Sequence, residues 1–139
     1  MENTGIRWVD RFIIAAIIQG GIITVLALAV VGFQIIFPQV NIMQHLSLSF
    51  GGPAKWFFLG IIFYLIIVVA VAVTALFYYH IEMNLNRKFS TGLKTLAWIH
   101  LIGMNVGGAG AMLYMTFAGL AGSGVLSLFT EGTLGKQDL

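Results

Sequence analysis

Long uncharged runs of apolar residues dominate the chain, and short polar segments separate them. Phe12–Phe37 is a run of 26 residues and Trp56–Tyr79 is a run of 24, and neither contains a charged side chain. A third run begins near Thr95, and no charge follows until Glu131. A helix needs about 20 apolar residues to cross a hydrocarbon core about 30 Å thick. The pattern therefore predicts three transmembrane helices, at about 8–37, 56–84 and 93–122, in one membrane domain that covers residues 1–139.

The composition supports this interpretation and excludes several classes of protein. Hydrophobic residues make up 59% of the 139 residues and charged residues 9%, whereas a typical soluble domain has about 25% charged residues. A free-standing water-soluble domain of this size has too little interior to bury so much apolar surface. We therefore expect an all-α integral membrane protein. The chain has no cysteine, which excludes disulfides, thiolate zinc sites and iron–sulfur clusters. No basic patch with interleaved aromatic residues is present, so we expect no nucleic-acid partner.

The basic residues predict the orientation of the chain in the membrane. Five of the seven fall before the first uncharged run or between the second and third runs, which places them on one side of the bilayer. They are Arg7, Arg11, Arg87, Lys88 and Lys94. Lys55 and Lys136 fall on the other side. Because cytoplasmic loops carry an excess of Lys and Arg, we expect the N-terminus in the cytoplasm and the C-terminus outside, and we take a prokaryotic cytoplasmic membrane as the location.

The segments between the predicted spans are short. The external connector, 38–55, is too apolar for a free loop, so we expect it to lie flat in the interface or to cover a neighbouring subunit. Ser90 or Thr91 is expected to cap the start of the third helix. We place the C-terminal tail at 123–139, with Val125–Phe129 against the interface or a neighbour and the polar residues beyond it disordered or resting on a partner.

His100 is the candidate for contact with a cofactor. It lies about 8 Å inside the third span at 1.5 Å per residue, and an ionisable residue within the membrane is a functional hypothesis by default. Met104 follows at i+4 on the same face, and His and Met are ligand types for haem and copper. A structural hydrogen bond to a neighbouring helix is the alternative. His80 is expected more than a helical turn from that depth, so we predict no metal site.

Small residues on the third helix predict close helix packing. Gly103, Gly107 and Ala111 form one ridge, and Ala118 and Gly122 form another. Such ridges allow two backbones to approach in lipid. Asn105 is polar within the span and is expected to hydrogen-bond across helices. Three helices bury little surface among themselves, so we expect other membrane subunits and lipid as the partners.

The segment Ala97–Gly107, Ala-Trp-Ile-His-Leu-Ile-Gly-Met-Asn-Val-Gly, resembles a helix of the haem–copper oxidases. In that family a run of the type A-H-x-H-x-x-x-G carries a haem ligand. His100 matches the second histidine, whereas Trp98 stands in place of the first. The resemblance covers about 25 residues and implies at most a fragment or a small partner subunit of such an oxidase. It transfers no ligand role to His100.

No carboxylate falls within the three uncharged runs, and Asp10 and Glu82 lie at the ends of the predicted helices, so the sequence offers no acid–base pair or intramembrane carboxylate relay. We therefore expect a non-catalytic subunit of a multisubunit membrane complex, most plausibly a respiratory or other redox assembly of the terminal-oxidase type. Haem, quinone or copper would belong to the parent complex, and this chain alone would bind none of them. Three alternatives stay open: an accessory subunit of a membrane copper monooxygenase, a haem-binding membrane cytochrome using His100 and His80, and a homo-oligomeric channel or carrier whose pore is lined by Gln19, Thr24 and Gln34.

Overall fold

A computed structural model describes residues 6–48 and 50–136, and its regular secondary structure within those ranges is all helical, joined by turns and short irregular segments. Three helices in it are long and apolar enough to cross a membrane, which confirms the prediction of an all-α chain with three spans. Helix α1 is the first span, α3 with a following π-helical segment forms the second, and α4, a π-helical segment and α5 form the third. Their bounds are α1 Trp8–Ile36, α3 Ala54–Tyr79, π1 His80–Asn84, α4 Thr91–Ile102, π2 Gly103–Gly108 and α5 Ala109–Gly122.

Helix α3 lies between the other two spans and packs against both α1 and α5. Two glycines set the closest approach of the backbones. A Cβ atom built on Gly60 of α3 would lie 2.7 Å from the backbone nitrogen of Thr116, and one built on Gly119 of α5 would lie 2.7 Å from Cα of Phe57. Neither position has room for a methyl group. Close backbone contact through small residues is how helices associate in lipid, where burial of larger apolar side chains offers little gain.

The end of the bundle that carries Arg7, Arg11, Arg87, Lys88 and Lys94, called here the basic end, holds the first π segment. Tyr79 leads directly into His80–Asn84 without a break in the chain, so the second span ends in a wider turn. Asn86 has a φ of 46°, and the chain then turns back toward the third span. Ser90 caps that helix, since its hydroxyl oxygen accepts the backbone N–H of Leu93 at 3.5 Å. This confirms the predicted cap.

The opposite end of the bundle is covered by two short helices, α2 (Ile42–Leu48) and α6 (Ser127–Thr130). Ile42 and Leu46 of α2 and Leu128 of α6 are almost fully buried in one apolar cluster with Phe57. The connector therefore packs against the chain's own helices, and its position in the interface or against a neighbouring subunit stays a prediction.

The C-terminal segment folds back onto this end of the bundle as far as residue 136. Phe129 packs edge-on against Phe33 at 4.7 Å between ring centroids. Gly135 donates its backbone N–H to the carbonyl of Gly124 at 3.0 Å, and Gly124 has a φ of +76° that a side chain would strain. The part of the expected tail beyond residue 136 lies outside the described residues. Val125 and Leu128 are buried in the same apolar cluster, against which residues at the end of α1 pack, and contact of this segment with a neighbour or the interface stays a prediction.

Gln34 joins the connector to the end of α1. Its side-chain amide donates to the carbonyl of Val40 at 2.8 Å, and its side-chain oxygen accepts the N–H of Ile42 at 3.0 Å. His45 of α2 lies 2.9 Å from the carbonyl of Ser123 through Nε2. These bonds satisfy backbone groups at helix ends, where four orphan groups per end need partners.

Candidate functional site

The three spans meet at a polar contact in the middle of the bundle. Tyr64 of α3, which is fully buried, donates its hydroxyl to the side-chain oxygen of Gln19 in α1. The side-chain nitrogen of Gln19 in turn donates to the side-chain oxygen of Asn105 in π2 at 3.1 Å and to its carbonyl at 3.3 Å. Asn105 donates to the carbonyl of Leu101 at 2.8 Å. We call these residues, Gln19, Tyr64 and Asn105, the amide cluster.

The sequence led us to expect a hydrogen bond from Asn105 to another helix. In the amide cluster, Asn105 is hydrogen-bonded to Gln19 of α1. A polar group left unpaired in hydrocarbon costs several kcal/mol, so the three side chains satisfy one another. The π segment carries Asn105, and local π turns of this kind are frequent at functional sites. The sequence offered no signal for these contacts, because Gln19 is 86 positions from Asn105 and 45 positions from Tyr64 along the chain.

His100 and Met104 lie side by side on the wall of a shallow groove of about 360 Å³, together with Ile67, Gly103 and Gly108. More than a third of the His100 side chain is exposed. Its ring centroid is 5.5 Å from that of Phe12 and 6.2 Å from that of Tyr78. The structure therefore brings the two candidate residues together and backs His100 with aromatic rings.

Met104 has a partner of its own within the bundle. The hydroxyl of Thr74 in α3 donates to its sulfur at 3.8 Å. His80, the other histidine considered for a haem, lies in π1 at the basic end, where Nδ1 is 3.0 Å from the side-chain nitrogen of Asn84. Across the described ranges, no group of three or more His, Cys, Asp or Glu side chains is placed to hold a metal ion.

The small-residue ridge predicted on the third span faces away from the rest of the chain. Gly103, Gly107 and Ala111 are exposed, and a Cβ atom built on either glycine meets nothing within 4 Å. In the second ridge Ala118 is exposed, whereas Gly122 approaches Pro53, with an added Cβ 2.7 Å from Cβ of that proline. The chain packs its own helices through other glycines, Gly60 and Gly119. Packing of the first ridge against another subunit stays a prediction.

Helix α1 has an open small-residue face as well. Gly20, Gly21 and Gly32 have nothing within 4 Å of an added Cβ. Thr24 on the same helix donates its hydroxyl to the carbonyl of Gly20 at 2.8 Å, within its own helix. Gln19, Thr24 and Gln34, the side chains considered for a pore, are thus each hydrogen-bonded within the chain.

At the basic end, Glu82 of π1 caps the N-terminus of α1. One carboxylate oxygen accepts the backbone N–H of Trp8 at 3.0 Å, and the other accepts that of Val9 at 3.0 Å. The first amides of a helix lack partners and carry partial positive charge, so a carboxylate at this position is favourable. The sequence analysis missed this contact because the cap lies 74 residues away in the chain.

Arg7 lies beside this cap and is ion-paired. Its Nε donates to the carboxylate of Asp10 at 3.1 Å, and a second guanidinium nitrogen lies 3.2 Å from the sulfur of Met83. The hydrogen bond and the charge of Asp10 raise the pKa of Arg7 above its ordinary value. The pair is exposed to solvent, which screens its charges, so it contributes little to stability.

Comparison of the chain with protein-family models, curated proteins and solved structures finds no match. The fold and the contacts define the class of the protein, which is an all-helical chain with three helices compatible with an integral membrane protein.

Proposed function

We propose that the chain is a non-catalytic subunit of a multisubunit membrane assembly and that it stabilises its neighbours by helix packing. The observation that carries this proposal is the open ridge of Gly103, Gly107 and Ala111, together with the open glycines of α1. Glycine in a helix interior costs roughly 0.5–1 kcal/mol relative to alanine. A run of glycines on a face that the chain itself leaves uncovered is best accounted for by another helix that approaches it closely.

Two features support a respiratory or other redox assembly as the parent complex. His100 and Met104 share one groove with an apolar surround, where they would border a haem or quinone held by a neighbouring subunit. The segment around them is also the one that resembles an oxidase helix. In this proposal the chain lies in a prokaryotic cytoplasmic membrane with its basic end in the cytoplasm, as the distribution of Lys and Arg favours.

The channel alternative has less support from the side chains. Gln19 is 6% exposed and belongs to the amide cluster, and Gln34 is bonded to the connector. A pore needs polar groups that face water, and these two amides face the chain's own groups. Nothing in the described residues favours a copper monooxygenase over an oxidase as the parent complex.

Copurification tests the proposal. The tagged chain is expressed in its own cells, extracted in mild detergent and run on a native gel, and it is expected to migrate with other membrane proteins. Gly103→Leu and Gly107→Leu should each lower the recovery of those partners several-fold, because the added side chain prevents close approach. Ala121→Leu, which enlarges an exposed residue of the same span, is the matched control and should leave recovery unchanged.

Two results would contradict the proposal. One is a stable, homogeneous monomer that carries no other chain after mild extraction. The other is normal recovery of partners in both glycine variants, which would show that the ridge is not a packing surface.

A further inference from the structure

A second groove runs between α1 and the third span on the face next to the amide cluster. Its volume is about 380 Å³. Its walls are the side chains of Ile14 and Ile18 on α1 and of Ile102 and Val106 on the third span, and at least half of each is exposed. We call it the Arg11 groove, because Arg11 is the charged residue among those that line it. Its surface is therefore apolar along its length and cationic at one position.

Arg11 is held against two tryptophans. Its guanidinium carbon lies 4.7 Å from the ring centroid of Trp8 and 4.6 Å from that of Trp98. The two rings contact each other edge-on with their centroids 5.4 Å apart, so both lie on the same side of the guanidinium. Contact of a guanidinium with aromatic rings is favourable for Arg. The N–H donors on the side away from the rings remain to bind a ligand.

Those donors have no acceptor in the described ranges 6–48 and 50–136. The nearest carboxylate in sequence, Asp10, is engaged by Arg7 at 3.1 and 3.4 Å. Arg11 is also only partly exposed, so it has lost part of its hydration without gaining an anion. A partly buried cation with unpaired donors is complementary to an anionic group.

The dimensions of the groove match one leaflet of a bilayer. Arg11 lies in the first turn of the first span, flanked by tryptophans of the kind that mark the headgroup level. Gln19 and Asn105 lie at the other end of the lining, eight residues along α1, which is about 12 Å at 1.5 Å per residue. Half of a hydrocarbon core is about 15 Å. The two amides bond to each other and to Tyr64, so that end of the groove does not require a polar ligand.

We propose that the Arg11 groove binds an anionic phospholipid, with the phosphate on the edge of Arg11 and an acyl chain along Ile14, Ile18, Ile102 and Val106. The guanidinium fork matches the geometry of a phosphate through two parallel hydrogen bonds. A transmembrane helix of another subunit would cover the apolar walls but would leave the charge of Arg11 without a partner. A lipid with an anionic headgroup satisfies both parts of the surface.

The experiment measures lipid contact by tryptophan fluorescence. The full chain carries Trp56→Phe, which leaves Trp8 and Trp98 as the emitting residues, and it is reconstituted in phosphatidylcholine bilayers. A matched fraction of phosphatidylglycerol or of phosphatidylcholine is brominated on its acyl chains, so that bound lipid quenches nearby tryptophans. The anionic lipid is expected to bind about fivefold more strongly than the zwitterionic lipid, corresponding to about 1 kcal/mol for one basic residue at the surface.

Variants separate a specific site from the general positive charge of the basic end. Arg11→Gln should abolish the preference for the anionic lipid, and Arg11→Lys, which keeps the charge but loses the fork, should reduce it. Arg87→Gln removes one charge from the same end outside the groove and should keep the preference. The far-ultraviolet circular dichroism of each variant checks that it is folded.

Equal quenching by the two brominated lipids in the protein with native Arg11 would overturn the proposal without recourse to any variant. An equal loss of preference in Arg87→Gln and Arg11→Gln would also overturn it, because lipid would then respond to surface charge alone. If Arg11→Gln fails to fold, the comparison of Arg11→Lys with Arg87→Gln decides: an unchanged preference in Arg11→Lys rejects the phosphate site.

Discussion

Helices α3 and α5 approach each other closely because Gly60 and Gly119 carry no side chain. Gly119→Ala places a methyl group against the backbone of Phe57. Backbone atoms within a helix cannot move aside as the end of a flexible side chain can. Overpacking of this kind costs about 1–3 kcal/mol, so we expect a lower unfolding midpoint in detergent. Gly110→Ala makes the same change where nothing lies within 4 Å and is expected to be neutral or slightly stabilising, since alanine favours the helix. Equal midpoints for both variants would contradict the packing at Gly119.

The amide cluster supports a prediction about pairs of side chains. Gln19→Leu and Asn105→Leu each remove one partner of the 3.1 Å hydrogen bond between α1 and π2. A double-mutant cycle is expected to give a coupling of about 0.6 kcal/mol, with about 1.7 kcal/mol as the upper end for such bonds in membranes. The free energy of unfolding of the four proteins is measured by titration with a denaturing detergent. Additive effects of the two substitutions would mean that the bond contributes nothing to stability.

At the scale of elements, α1 depends on a cap that another span supplies. Glu82→Ala removes both acceptors from the amides of Trp8 and Val9, and Glu82→Gln keeps one neutral acceptor. Loss of a cap costs about 0.5–2 kcal/mol. We expect faster hydrogen exchange in the first turn of α1 for Glu82→Ala and a smaller increase for Glu82→Gln. Asp10→Asn is the control, since it removes a carboxylate of the same turn whose partner is the exposed Arg7. Of the three variants it should change the hydrogen exchange of that turn least.

The hydrophobic pattern was sufficient to predict the three long helices because length and absence of charge alone decide whether a helix crosses a membrane. The predicted start of the second span, residue 56, lies two residues after the observed Ala54, and the third helix begins at Thr91 with the cap supplied by Ser90. Local signals of this kind are readable from a few neighbouring residues. The cap by Glu82 is not, since it joins positions 74 residues apart.

The small residues show the same division between local and long-range information. A spacing of four residues identified Gly103 and Gly107 as a ridge. The third span contains so many glycines, however, that small residues recur at this spacing on several of its faces. Which face packs inside the chain depends on the partner, and Gly60 in an otherwise bulky helix α3 gave no repeated pattern to recognise. For the same reason, a connector with scattered apolar residues did not reveal that Ile42 and Leu46 would be buried in one cluster with residues of the chain's own α3, α5 and α6.

At the scale of the whole molecule, the chain has two chemically different ends. The basic end holds five of the seven Lys and Arg residues, the Glu82 cap and the contact of Arg11 with two tryptophans. The opposite end is closed by α2, α6 and the apolar cluster around Phe57. Because positively charged loops are retained in the cytoplasm, the basic end is expected inside and the end covered by α2 and α6 outside.

The absence of cysteine from the sequence makes this orientation directly measurable. Ser47→Cys introduces a single thiol on an exposed position of α2, and Thr91→Cys introduces one at an exposed position near the basic loop. A membrane-impermeant maleimide applied to intact bacterial cells is expected to label Ser47→Cys at once and Thr91→Cys only after the cells are permeabilised. Labelling of Thr91→Cys alone in intact cells would show that the topology is the opposite of the one expected. The Arg11 groove would then lie in the outer leaflet. The distribution of five basic residues against two would then have failed to set the direction of insertion.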